Sequence, residues 1–162
     1  MHVVRALLPA ADVHLVPEEE IMASTDEIAD YYANLVRVGV ALGQEFEFDV
    51  RFFWQPAIAL TNKKLGAWET QLSAEQDTVG AQMARMTRAT YPKVASRLAA
   101  HDEETFILLN DVFDEESEDV FIDHYGHITE DGNSTIAAAI TRQLVPLLRA
   151  DDNERSADDR SI

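Results

Sequence analysis

The chain has no cysteine in its 162 residues. Disulfides, thiolate metal sites and a cysteine nucleophile are thereby excluded. Lysine is scarce too: only Lys63, Lys64 and Lys93 stand among thirteen basic residues. No run of about eighteen apolar residues occurs, so no transmembrane helix is expected. The opening stretch MHVVRALLPAADVHLV lacks the long apolar core and small-residue cleavage site of a secretory signal. A cytoplasmic location is therefore the default expectation. There is also no internal repeat, no Gly-rich phosphate loop and no low-complexity linker.

What is present suits a soluble domain with a real core. Apolar residues make up 46% of the chain. Thirty acidic against thirteen basic residues give a net charge of −17. Such a surface repels nucleic acid and anionic membranes, and neither is expected as a partner. Excess carboxylate with little lysine resembles proteins of organisms that accumulate molar salt, where screening suppresses self-repulsion. A halophilic character is the expectation.

The pattern along the chain predicts helix, strand, helix, strand, loop, helix. Val3–Leu8 reads as a short buried strand or a helical turn, broken by Pro9. Glu18–Glu20 reads as a solvated stretch, and Ser24 to Glu27 as a capping box. From there Ile28, Tyr31, Leu35, Val38 and Leu42 form one stripe at helical spacing that ends near Gly43. Phe46 to Trp54 reads as a strand running into a core and stopped by Gln55-Pro56. Residues 57–72 look like a loop, and a helix follows from Ser73 to His101 with a break at Pro92. Thr105–Leu109 is the second buried strand. An acidic connection from Asp111 to Asp119 leads to Val120-Phe121-Ile122. The last helix is placed at Glu130–Ala150, with Ile136, Ala139, Ile140, Leu144 and Leu147 on its apolar face. Residues 151–162 read as a disordered acidic tail. Helices between strands imply parallel strands and an α/β layered domain. Two strands buried on both faces cannot make such a sheet alone, so strands beside them are expected to be missing.

One stretch carries chemistry: Asp123-His124-Tyr125-Gly126-His127, followed by Ile128-Thr129 and a helix opening with Gly132-Asn133. A hydrolytic triad needs an imidazole to take the nucleophile's proton. It also needs a carboxylate to fix the tautomer and stabilise the charged ring. One short loop supplies both. Asp123 and His127 lie four apart, so a helical turn brings them face to face, whereas His124 cannot easily fold back onto its neighbour.

Asp, a few residues, His, then a hydroxyl residue and Gly-Asn opening the terminal helix resembles the last block of SGNH/GDSL-type serine hydrolases. Phe52-Phe53-Trp54-Gln55-Pro56, with Lys63-Lys64-Leu65 and Glu69, is similar to the family's strand ending in Gln-Pro. Leu108-Leu109-Asn110-Asp111-Val112-Phe113-Asp114 is similar to its last sheet strand. The likeness covers about residues 24–149. Three residues separate Asp123 from His127, where the family more often has about two. The resemblance implies a partial three-layer α/β/α domain, flavodoxin-like, over residues 1–150. It implies Asp123 and His127 as acid and base, no cofactor and no metal, and an ester of a small molecule, carbohydrate or lipid as substrate.

The family's Gly-Asp-Ser block and oxyanion donors have no counterpart. Ser24 reads as a helix cap, Ser134 lies in the last helix, and Ser73, Ser96, Ser117, Ser156 and Ser161 sit in no such setting. The chain reads as the C-terminal portion of an ester hydrolase, inactive alone. Two other readings stand beside this one. A non-catalytic module could associate through its open sheet edge, with itself or with the absent N-terminal segment. An acidic metal-binding module could instead use His124 and His127 with Asp123 and Asp119. His2, His14 and His101 read as surface residues.

Overall fold

The structure, a computed structural model, describes residues 15–98 and 105–158, with side chains described as far as residue 148. Val3–Leu8, His2, His14 and His101 lie outside the described residues. The element order is α1 (Glu18–Phe46), β1 (Phe52–Trp54), α2 (Ala67–Ser73), α3 (Val79–Leu98), β2 (Phe106–Leu108) and α4 (Glu130–Asp158). The fold is mixed α/β and mostly helical, with a two-stranded parallel sheet that pairs Phe52 with Phe106 and Trp54 with Leu108.

Helix α1 starts one and a half turns before the expected capping box. Pro17 precedes it, and Glu18, Glu19 and Glu20 fill its first turn, where the positive end of the helix dipole favours carboxylates. Ser24 and Thr25 are therefore interior residues, donating back to the Ile21 and Met22 carbonyls at 2.9 and 2.8 Å. The helix also runs past Gly43 to Phe46. Glu47 then adopts the left-handed conformation (φ 57°), and the Phe48 amide donates to the Gly43 carbonyl. This cap consumes the first half of the expected Phe46–Trp54 strand.

The buried face of α1 also differs from the expected stripe. Ile21, Thr25, Ala29, Ala33 and Val36 are buried, whereas Tyr31, Leu35, Val38 and Leu42 are 46–66% exposed. The reason is close approach. Ala29 and Ala33 share a core with Val94 and Leu98 of α3, and Phe52 lies so near Gly39 that a Cβ there would meet its ring at 2.5 Å. Salt bridges from Lys93 to Asp26, and from Arg97 to Asp26 and Asp30, fix the parallel alignment of the two helices.

The region read as a loop contains α2, and Ser73 ends that helix rather than starting the next. Helix α3 passes through Pro92 unbroken. Trp54 packs edge-on against Tyr91 and Phe106 and at 5.0 Å from Tyr32, so α1 and α3 cover one face of the sheet. The strands are less enclosed than expected. Their residues are half-buried and Leu108 is 40% exposed. Helix α4 opens with the Thr129 hydroxyl accepting from the Gly132 amide, and its backbone continues beyond Ala150 to Asp158. Residues 147–158 hold neither glycine nor proline to stop it. Of its expected apolar face, Ala139 is buried and Ile136, Ile140, Leu144 and Leu147 are half-buried. Among the described residues no helix is long and apolar enough to cross a membrane.

Candidate active site

A small β-turn unit builds the site. Phe121 and Ile128 form an isolated antiparallel bridge. The Thr129 amide donates to the Val120 carbonyl and the Ile122 amide to the His127 carbonyl, both at 2.9 Å. Two legs thus converge, and residues 123–126 form the turn between them. Gly126 makes the reversal at φ +90°, where a side chain would be strained. Val120 and Phe121 bury themselves in a core with Phe113, Ile58 and Leu72, with the Phe113 and Phe121 rings edge to face. The turn therefore stands on a packed base.

Within it, Asp123 and His127 meet, though across a reversal through Gly126 at φ +90° rather than the helical turn expected. Asp123 Oδ1 accepts from the Tyr125 amide at 2.8 Å and the His127 amide at 3.2 Å, and Oδ2 lies 2.5 Å from His127 Nδ1. A carboxylate can only accept, so an Nδ1–H donates and leaves Nε2 as the basic nitrogen. The His127 side chain is 72% exposed and Asp123 29%. Partial burial works against ionisation of Asp123. The hydrogen bonds from the His127 ring and from the two amides outweigh it and hold the carboxyl below its ordinary range. The arrangement can orient an imidazole, fix its tautomer and stabilise its protonated form.

Three long-range contacts hold this turn. Gln55, just beyond β1, donates through Nε2 to the Gly126 carbonyl at 2.5 Å. Trp68 Nε1 donates to the Ile122 carbonyl at 3.1 Å. Glu69 accepts from the amides of Val120 and Phe121. The sequence points to Gln55 through its Gln-Pro, but the parts played by Trp68, Glu69 and Asp119 are not visible there. Asp119 ends the acidic connection that begins at Asp111. Its carboxylate accepts from the Trp68 and Glu69 amides, both at 3.3 Å, and so caps α2. A Cβ on Gly66 would stand 2.0 Å from that carboxylate, which is why a glycine opens the helix. The spacing of Gly66 and Glu69, three apart as in a capping box, is the one available sequence signal.

His124 points elsewhere. Its side chain is 5% exposed and packs against Gly80. Its Nε2 lies 3.3 Å from Glu75 Oε2 but is poorly aligned, and neither ring nitrogen has a hydrogen-bond partner among the described residues. A pocket of about 100 Å³, shared with Glu75, Arg85 and Arg88, adjoins it. Among the described residues no three His, Cys, Asp or Glu side chains gather where they could hold a metal ion. His124 and His127 are not joined in one site. No family model matches the chain, and no curated protein or solved structure matches it either.

Proposed function

We propose that Asp123 and His127 are the acid and base of a Ser-His-Asp triad, and that the chain is the C-terminal part of an SGNH/GDSL-type ester hydrolase with a partial α/β/α layered fold. The observation that carries this reading is the short Asp123–His127 Nδ1 hydrogen bond on a rigidly anchored turn, with the ring open to an incoming group. The reaction is acyl transfer. A serine hydroxyl would lose its proton to His127 Nε2 as its oxygen attacks the ester carbonyl. The protonated ring, stabilised by Asp123, would return that proton to the leaving alcohol. On this reading the serine comes from outside the described residues. Within them Ser24 and Ser134 bond to helix carbonyls, and Asp123 is the hydrogen-bond partner of the His127 ring.

Two experiments test the proposal. The 162-residue chain alone should hydrolyse short activated esters no faster than free imidazole, and a fluorophosphonate should label none of its serines. Fused to a segment bearing a Gly-Asp-Ser block, it should gain activity that His127→Ala reduces by about 10²–10⁴-fold. A folded, active fusion indifferent to His127→Ala and Asp123→Asn would sink the assignment.

A second reading, a non-catalytic association module, is favoured by a separate observation. Among the described residues β1 has β2 as its one neighbour, and α1 displays Tyr31, Leu35, Val38 and Leu42 to solvent. Association that persists in a chain carrying Asp123→Asn and His127→Ala would separate that role from chemistry.

A further inference from the structure

Lys63 and Glu69 form an ion pair of 2.8 Å in which both side chains are wholly buried. Such a pair gives little net stability, because two charges leave water to make it, so its presence calls for another explanation. The Glu69 carboxylate receives four donors. Oε2 takes the Lys63 ammonium and the Gly66 amide at 3.1 Å, and Oε1 takes the amides of Val120 at 2.7 Å and Phe121 at 3.0 Å. The neighbouring Trp68 holds the carbonyl of Ile122. Three successive residues leading into Asp123 are thus fastened to the first turn of α2. The loop's own Asp119 caps the same turn in return.

We infer that Glu69 is a positioning residue for the Asp123–His127 pair, with Lys63 the counter-charge that keeps its carboxylate ionised inside the core. The inference rests on the reading of that pair as acid and base. The mechanical step is direct. Asp123 has its Oδ1 committed to the Tyr125 and His127 amides, so its Oδ2 can meet His127 Nδ1 only if the leg before it keeps its height and tilt. That leg is set by two charge-assisted bonds to Glu69, which are shorter-reaching and more directional than packing alone. The Lys63 ammonium also donates to the Lys64 carbonyl at 3.2 Å, which ties the far end of the device to its own backbone.

The test uses the full chain and two NMR readouts that do not need activity: the titration midpoint of the Asp123 carboxyl and the His127 Nδ1–H resonance. Glu69→Ala should raise the Asp123 midpoint towards the ordinary carboxylate range and broaden the Nδ1–H signal into solvent exchange. Amide exchange at Val120 and Phe121 should quicken by about tenfold or more. Glu69→Asp keeps the charge for Lys63 but draws the acceptor back from the two amides. It should shift both readouts in the same direction, which keeps the test decisive if Glu69→Ala fails to fold. Lys63→Met combined with Glu69→Gln keeps one oxygen for the loop amides without a stranded cation, with its NH2 now facing the Gly66 amide, and should restore both signals in part. A lower melting temperature in Glu69→Asp with both readouts unchanged would make Glu69 merely structural and overturn the inference. A fusion that stays inactive while these readouts respond as expected would instead count against the hydrolase reading.

Discussion

At the residue scale, Asp123 and His124 are neighbours with opposite roles, and pH and mutation should separate them. The carboxyl of Asp123 is held below its ordinary value, so it contributes stability that is present above the unfolded value of 3.8 and is lost as pH falls through the folded one. The urea midpoint of the native chain should therefore drop below about pH 4, as carboxylates protonate. Asp123→Asn should flatten that drop measurably, having no such proton to gain; an unchanged pH profile would mean the pair does not form in solution. His124→Ala should act through packing. The ring is buried against Gly80, so its removal should cost about 1–3 kcal/mol in urea denaturation while the Asp123 titration stays in place. The contact between Asp123 and His127 is readable in the sequence because the two residues are only four apart. The contact of Glu69 with the loop is not readable, because its amide partners lie 51 and 52 residues away and depend on how the chain folds back.

At the element scale, the test falls on which face of α1 is buried. Ala33 is fully buried beside α3, so Ala33→Leu should overpack that contact and destabilise by about 1–3 kcal/mol. Leu35 is 50% exposed, and Leu35→Ala should change the urea midpoint far less, by about 0.5 kcal/mol. The reverse ranking would show that the apolar stripe, not the small residues, meets the core. Helix periodicity locates α1, and the apolar runs locate both strands. The buried face escapes because hydropathy favours Leu35 and Val38. Contact with α3 and Phe52 instead selects residues small enough for close approach, Ala29, Ala33 and Gly39. The helix start escapes for an electrostatic reason: three glutamates look like solvated loop, yet they suit an N-terminal turn. Helix α2 escapes because seven residues are too short for periodicity, and its cap comes from Asp119 far along the chain.

At the scale of the whole molecule, two forces oppose each other. The net charge of −17 drives copies apart, while the exposed stripe of α1 and the edge of β1 that has no partner among the described residues offer apolar and hydrogen-bonding surface. Salt acts on the first and leaves the second largely intact. The Debye length falls from about 30 Å at 0.01 M to about 3 Å at 1 M, so molar KCl removes most of the repulsion both within a chain and between chains. Folding and association should therefore rise together with KCl. The urea midpoint should increase between dilute buffer and molar KCl. Sedimentation velocity at low micromolar concentration should move from monomer towards dimers or larger species. Leu35→Glu with Val38→Glu separates the two effects. The double variant should keep the rise in urea midpoint, since intramolecular repulsion is still screened, yet sediment as a monomer throughout, because charge now occupies the stripe. A midpoint that stays flat or falls with salt would remove the halophilic reading. Undiminished association in the double variant would shift the contact from α1 to the edge of β1, where main-chain pairing tolerates charge on a neighbouring helix.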